Sequence, residues 1–118
     1  MNPTKRETLF AHLHKPLGAF VYLDPRRAGV VVPEHLRAQH QLVLQLGLQF
    51  QRPIPDLELT DAGITATLSF CGVRFHCTIP WSAVYAIRPS DAERGIVWHD
   101  DTPAEIRALL DEQPRGAA

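Results

Sequence analysis

Histidine and acidic side chains are the first candidates for chemistry in this sequence, because they bind metals and transfer protons. His12 and His14 form an H-x-H pair, but residues two apart on a helix do not share a face. We therefore interpret both as helix-surface histidines. His76 and the His-Asp-Asp run at 99–101 lack the spacing of a metal motif, and the run fits a solvated loop. The sequence predicts no metal site and no cofactor.

The candidate nucleophiles are equally isolated, and they are Ser69, Ser82, Ser90 and Cys71. Catalysis by such a residue needs a base and an orienting acid beside it. No G-x-S-x-G elbow or glycine-rich phosphate loop is present. Cys71 and Cys77 would lie roughly 15–20 Å apart along one extended arm, and a disulfide needs Cα atoms within about 7 Å. We predict free thiols and no enzymatic activity.

The charge balance argues against partners that are strongly charged. The 118 residues carry 12 Lys and Arg against 13 Asp and Glu, a net charge of -1, so a basic footprint for nucleic acid is missing. No apolar run approaches the roughly 20 residues of a membrane span, and the charged N-terminus lacks the apolar region of a signal peptide. We expect a cytoplasmic protein that forms one domain over residues 1–118.

A helix is predicted at each end of the chain. Thr4 and Glu7 have capping-box spacing and Pro16 ends the segment, which places the first helix at residues 4–15. A second capping box at 102–105, with proline at the first helical position, begins a helix at 103–112. Both helices carry an apolar stripe, formed by Leu9, Phe10 and Leu13 in the first and by Ile106, Leu109 and Leu110 in the second.

Short β-forming runs separated by turns fill the middle of the chain. They lie at 19–23, 29–32, 41–47, 57–59 and 96–98, and the apolar segment 81–87 fits a short turn or helical segment that leads into an edge strand. In the 41–47 run the leucines alternate with other residues, which is the period of a half-buried strand. We predict a mostly-β fold, a small and strongly bent antiparallel barrel over residues 19–99. Closure would remove its exposed strand edges.

The strongest local signal is a hairpin over residues 64–79. Apolar residues alternate along both arms, and a two-residue turn at Cys71 and Gly72 places all of them on one face. The predicted register pairs Ile64 with Ile79, Ala66 with Cys77, Leu68 with Phe75, and Phe70 with Val73. A slip of one residue would put half of these side chains in water, so the register is well specified.

The order of the segments resembles the SspB family of protease adaptors. Gly29 to Pro33 is similar to the family's G-V-x-V-P, residues 41–46 to its I-V-L-N-I, residues 57–59 to its L-E-L, residues 70–72 to its F-G-G, and residues 79–87 to its V-P-x-x-A-V-x-A-I block. The order and the gaps agree across about residues 19–98. The resemblance implies an Sm-like barrel preceded by a helix that makes a dimer contact.

The resemblance also implies an activity. Family members bind extended degradation tags, chiefly the ssrA tag, in a groove on each subunit and tether the cargo to the ClpX unfoldase. The positions that match the groove are Leu44, Gln45, Leu46, Leu68, Ser69, Phe70, Cys71 and Gly72. The leucines and Phe70 could also be core residues. The matching dimer contact is Leu9, Phe10 and Leu13, a stripe that could equally pack on its own barrel.

Two departures from the family pattern leave questions open. Cys71 places a side chain where the family has glycine, which could reshape the groove and alter tag preference. The sequence ends at 112–118 without the acidic extension and ClpX-docking peptide that family members usually carry. It could be a piece of a longer protein, the helix bearing Ile106 could dock instead, or the groove could persist without the protease link.

Two other functions stay open beside the adaptor. An Sm-like barrel could bind RNA, but Arg26-Arg27 is the only adjacent basic pair in the barrel region, and backbone-driven binding needs clustered Lys and Arg. The chain could also be a subunit of another complex that uses the C-terminal helix as its contact.

Overall fold

Two antiparallel sheets and two terminal helices make up the fold. The computed structural model describes residues 4–15, 18–47, 54, 56–70 and 72–112, with side chains in the last helix as far as Ala108. The elements are α1 (Lys5–Leu13), β1 (Ala19–Leu23), β2 (Leu42–Leu46), β3 (Glu58–Leu59), β4 (Gly63–Phe70), β5 (Val73–Pro80), β6 (Val84–Pro89), β7 (Ile96–Val97) and α2 (Ala104–Glu112). One sheet has the order β2-β1-β6-β7 and the other the order β3-β4-β5.

Helix α1 begins at the predicted capping box. The Thr4 hydroxyl accepts a hydrogen bond from the Glu7 N–H at 3.1 Å, and the Glu7 carboxylate accepts one from the Thr4 N–H at 3.4 Å. These bonds satisfy amide groups that a helix start leaves without partners. Leu9 and Leu13 are buried where α1 packs on β6 and β1, so the short helix gains its stability from the core.

The hairpin of β4 and β5 has the predicted register at all four apolar pairs. Its base lies in the core, where Ile64 and Ile79 are buried, whereas Leu68 and Phe70 near its tip are only half-buried. Gly63, before the first arm, has φ of 156°, and a Cβ there would meet the Ile79 carbonyl oxygen at 2.1 Å. The turn therefore requires glycine. The hairpin projects its tip past the core, and the apolar face is progressively uncovered.

The mostly-β class is confirmed, but the predicted closed barrel is not formed by the described residues. They make two sheets, linked by an isolated bridge between Val31 and Thr78 and by the chain running from β5 into β6. Strand β3 is only two residues long and pairs with Thr65 and Ile64 alone. Because it reaches no further than Thr65, the outer half of β4 has no described strand on the side away from β5.

The strand that follows the turn at 81–83 is central, whereas the sequence predicted an edge strand. Strand β6 pairs with β1 on one side and with β7 on the other. Four consecutive residues from Val84 to Ile87 are buried, as expected for a strand that is covered on both faces. The 29–32 run is also different, since it forms only the single bridge at Val31.

Helix α2 is tied to the first sheet by charged side chains. The Thr102 hydroxyl donates to the Trp98 carbonyl oxygen at 2.9 Å, and the Glu105 carboxylate accepts from Arg26 and His40 at 2.8 Å each. Thr102 and Glu105, the two residues of the second predicted capping box, thus use their side chains for these bonds. Among the described residues, no helix is both long and apolar enough to cross a membrane.

Candidate functional site

A groove of about 410 Å³ lies between the two sheets, where β2 faces the outer half of β4. Its lining consists of Leu42, Val43, Leu44 and Gln45 from β2, Leu68, Ser69 and Phe70 from β4, and Leu36 and Ile54 from connecting segments. Four consecutive residues of one strand and three of the other contribute. One face of a sheet would show only every second residue, so the groove runs along strand edges.

The first wall is the outer edge of β2. This strand pairs with β1 from Leu42 to Leu46, and no other described strand pairs with it. Leu42 and Leu44 are buried and form the floor, while Val43 is 40% exposed on the opposite face. The edge therefore offers backbone groups between an apolar floor and an apolar rim.

The second wall is the edge of β4 beyond the end of β3. On this side of the strand the Thr67 N–H donates to the Asp56 carboxylate at 2.9 Å. Backbone groups of alternate residues in a strand point the same way, so the Ser69 N–H and carbonyl oxygen also point away from β5. No described strand pairs with β4 at Ser69 on this side.

Among the described residues, the lining carries no charged side chain. Its polar side chains are those of Gln45 and Ser69, and the Gln45 amide donates to the Ser90 hydroxyl at 3.3 Å. An apolar trough with backbone donors and acceptors along both walls suits an extended polypeptide, because strand addition uses backbone hydrogen bonds with side-chain pockets between them. None of the described lining residues carries a positive charge that could neutralise phosphates.

Comparison with protein families also points to a protein that binds other polypeptides. The family model for stringent starvation protein B matches residues 12–116 of the 118. The chain belongs to the SspB family. This family consists of adaptors of the ClpXP protease and is not a catalytic family. No curated protein matches the chain.

The structure brings five of the eight groove positions that the SspB resemblance suggested into one lining, namely Leu44, Gln45, Leu68, Ser69 and Phe70. Leu46 does not join them, since it is fully buried in the core opposite Ala19. Gly72 is exposed at the hairpin turn with φ of 84° and lies outside the lining. Cys71 lies outside the described residues.

The α1 stripe divides into two parts. Leu9 and Leu13 are buried in the core of their own chain, so these two residues pack on their own domain and are not available for a dimer contact. Phe10 is 57% exposed and stacks edge-on against His14, with ring centroids 5.0 Å apart. In this SspB-family chain Phe10 is the member of the stripe that a second subunit could reach.

Sequence reasoning missed four groove residues: Leu36, Leu42, Val43 and Ile54. The β2 pair could have been found, because an edge site involves consecutive residues and the strand itself was predicted. Leu36 and Ile54 lie in irregular segments without periodicity, and only the tertiary structure brings them to the groove.

Two other clefts have less to offer a peptide. One, of about 560 Å³, lies at the start of α1, where Lys5 is paired with Asp101 and Arg6 with Asp61. The other, about 300 Å³, lies between β6, β7 and α2. In the first cleft the charges already pair with one another, whereas the groove between β2 and β4 has two strand edges as walls, so we take this groove as the candidate site.

Proposed function

We propose that this chain is a peptide-binding adaptor that holds an extended degradation tag of the ssrA type between β2 and β4 and delivers the tagged protein to ClpXP in the cytoplasm. The observation that carries the proposal is the apolar groove whose described lining is uncharged and whose two walls are strand edges to which no further described strand pairs. Membership of an adaptor family supports the same role.

The dimensions suit a short extended segment. Four strand residues, such as those from Leu42 to Gln45, span about 10 Å between the first and last Cα, so about four residues of a bound tag would contact this wall. Backbone pairing would provide general affinity, and the apolar floor would select side chains at alternate positions. The bound segment would act as an additional strand and bring the two sheets closer to closure.

The delivery step follows from tethering. An adaptor that holds both the tag and the unfoldase raises the effective concentration of substrate without changing the intrinsic affinity of the unfoldase. Ile106 in α2 is half-buried. The side chains of Leu109 and Leu110 lie outside the described residues, so docking through this helix remains a proposal.

Titration of the whole chain with a labelled ssrA peptide tests the proposal directly. We expect saturable binding at about tens of micromolar or tighter, and no binding of a scrambled peptide. Val43→Asp should weaken binding at least tenfold, because it puts a carboxylate beside an apolar ligand. Val31→Asp is the matched control, since Val31 is 47% exposed and lies outside the groove.

Loss of affinity in Val43→Asp with wild-type affinity in Val31→Asp would support the groove as the site. Absence of saturable binding by the wild-type chain, or equal affinity in both variants, would refute it. Acceleration of ClpXP degradation of a tagged protein would then test delivery separately from capture.

We further propose that the SspB-family chain forms a homodimer through the exposed face of α1. Phe10 exposes 57% of its surface beside His14, and an aromatic side chain buries a large area when a second subunit covers it. Light scattering should give twice the chain mass for the wild type and the single mass for Phe10→Ala. Val73→Ala, which changes another exposed apolar residue, should leave the mass unchanged. A wild-type chain that is monomeric at high concentration would contradict the dimer.

A further inference from the structure

A polar cluster on the outer face of the three-stranded sheet holds the turn at one end of the groove. The turn is closed by the Leu57 N–H, which donates to the Ile54 carbonyl oxygen at 3.3 Å. Within it, the Asp56 carboxylate accepts from the Thr67 N–H at 2.9 Å and from the Thr67 hydroxyl at 2.5 Å. His76 completes the cluster, with its Nδ1 3.1 Å from the Thr67 hydroxyl oxygen.

Counting protons assigns a direction to each bond. A carboxylate can only accept, so the single hydroxyl proton of Thr67 goes to Asp56. The Thr67 oxygen can then only accept from His76, which requires a proton on Nδ1. When His76 takes up a second ring proton, the imidazole becomes positively charged. Its Nδ1 lies 3.4 Å from the Asp56 carboxylate, so the two groups then form an ion pair.

Asp56 also lies two residues from Ile54, which lines the groove. We propose that Asp56 is a positioning residue for peptide binding, which fixes Ile54 as part of the groove wall through its bonds to Thr67 and is reinforced when His76 is protonated. The proposal rests on the peptide-binding function proposed above. It adds two features to that function. A residue outside the groove lining controls the shape of the groove, and peptide affinity depends on pH.

The neighbouring charges decide how the pH effect must be measured. The strand registers place Thr65, Thr67 and Ser69 on one face of the sheet, with Glu58 opposite Thr65 on β3 and Arg74 opposite Ser69 on β5. Glu58 and Arg74 therefore share the outer face with Asp56 and His76, one on each side. A pH effect that disappears when His76 is replaced therefore belongs to this cluster, and replacing Glu58 shows whether the neighbouring carboxylate contributes to it.

The strength of the cluster comes mainly from the hydrogen bonds to Thr67. The two bonds from Thr67 lower the pKa of Asp56, which keeps it ionised over the working range. The ion pair itself is exposed, since 59% of the His76 side chain and 42% of that of Asp56 are accessible, and exposed pairs are weak. The pH effect should therefore be small and the effect of removing Asp56 larger.

Peptide affinity, measured on the whole chain at about pH 5.5 and about pH 8, tests the proposal. The wild type should bind about twofold tighter at the lower pH. Asp56→Ala should weaken binding about tenfold and remove the pH effect. His76→Gln, which can still donate to Thr67, should keep the high-pH affinity within about twofold and give a flat profile. Glu58→Gln removes a carboxylate from the same face and should behave as the wild type.

Two results would overturn the positioning role of Asp56 while leaving peptide binding intact: an Asp56→Ala variant with wild-type affinity, or a pH effect that persists in His76→Gln. A wild-type chain that binds no peptide at either pH would instead refute the proposed function and this inference with it. Hydrogen exchange without peptide supplies an independent readout. The Leu57 amide should exchange about tenfold faster in Asp56→Ala, and an unchanged rate would also overturn the inference.

Discussion

Replacement of Ser69 by proline tests whether the edge of β4 binds peptide through its backbone. Proline has no N–H, and it is tolerated in sheets at edges where the missing donor faces outward. The Ser69 N–H points away from β5, as the bond from the Thr67 N–H to Asp56 shows, so the hairpin ladder loses no hydrogen bond. A bound peptide would lose its donor at this position and keep a buried carbonyl oxygen without a partner.

An unsatisfied buried acceptor costs about 1–3 kcal/mol, and 1.4 kcal/mol is a factor of ten in affinity. We therefore expect Ser69→Pro to weaken ssrA-peptide binding about tenfold to hundredfold in a fluorescence-polarisation titration. Ser69→Ala keeps the N–H and removes only the hydroxyl, and it should bind within about twofold of the wild type. The melting temperature of Ser69→Pro should stay within about 4 °C of the wild type. Equal affinities of the proline and alanine variants, with both folded, would refute strand addition at β4.

Two further predictions concern the scaffold. The backbone N–H of Glu105, with His40 and Arg26, lowers the pKa of this carboxyl from 4.5 to about 2. The stabilising effect of the ionised carboxyl is therefore complete above about pH 4.5 and is lost as the pH falls towards 2. Between these pH values, the free energy of unfolding should fall less steeply with decreasing pH in Glu105→Gln than in the wild type. Burial raises the pKa of the Cys77 thiol to about 11, so in a Cys71→Ser chain a thiol reagent should label Cys77 only when denaturant unfolds the protein; rapid labelling of the native chain would contradict its core position.

The hairpin could be predicted to the residue because its signal is local. Ile64 to Phe70 and Val73 to Ile79 alternate with period two, and the turn between them fixes the register, so no tertiary information is needed. Closure of the sheet is different, because it depends on how far a neighbouring strand extends. The run at 57–59 predicted a strand but not how many residues of it would pair with β4. In the structure β3 is two residues long.

The position of β6 was within reach of the sequence. The run from Val84 to Ile87 is apolar at four consecutive positions, which is typical of a strand covered on both faces and does not suit an edge. Leu46 shows the reverse case. Its alternation with Leu44 is the same whether the residue lines a groove or fills the core, and only its position opposite Ala19 decides that it is core.

Open strand edges normally endanger a protein, because they invite pairing with other chains. In this fold one edge of β2 and the outer half of β4 face each other across an apolar groove, and within the described residues no strand fills the space. A closed barrel would protect those edges but leave nothing to bind. The short β3 is therefore the feature on which the proposed peptide capture depends, since four more paired residues before Glu58 would carry its register from Thr65 to Ser69 and occupy that edge. The incomplete sheet and the proposed capture of extended tags are then consequences of the same short strand, which begins only at Glu58.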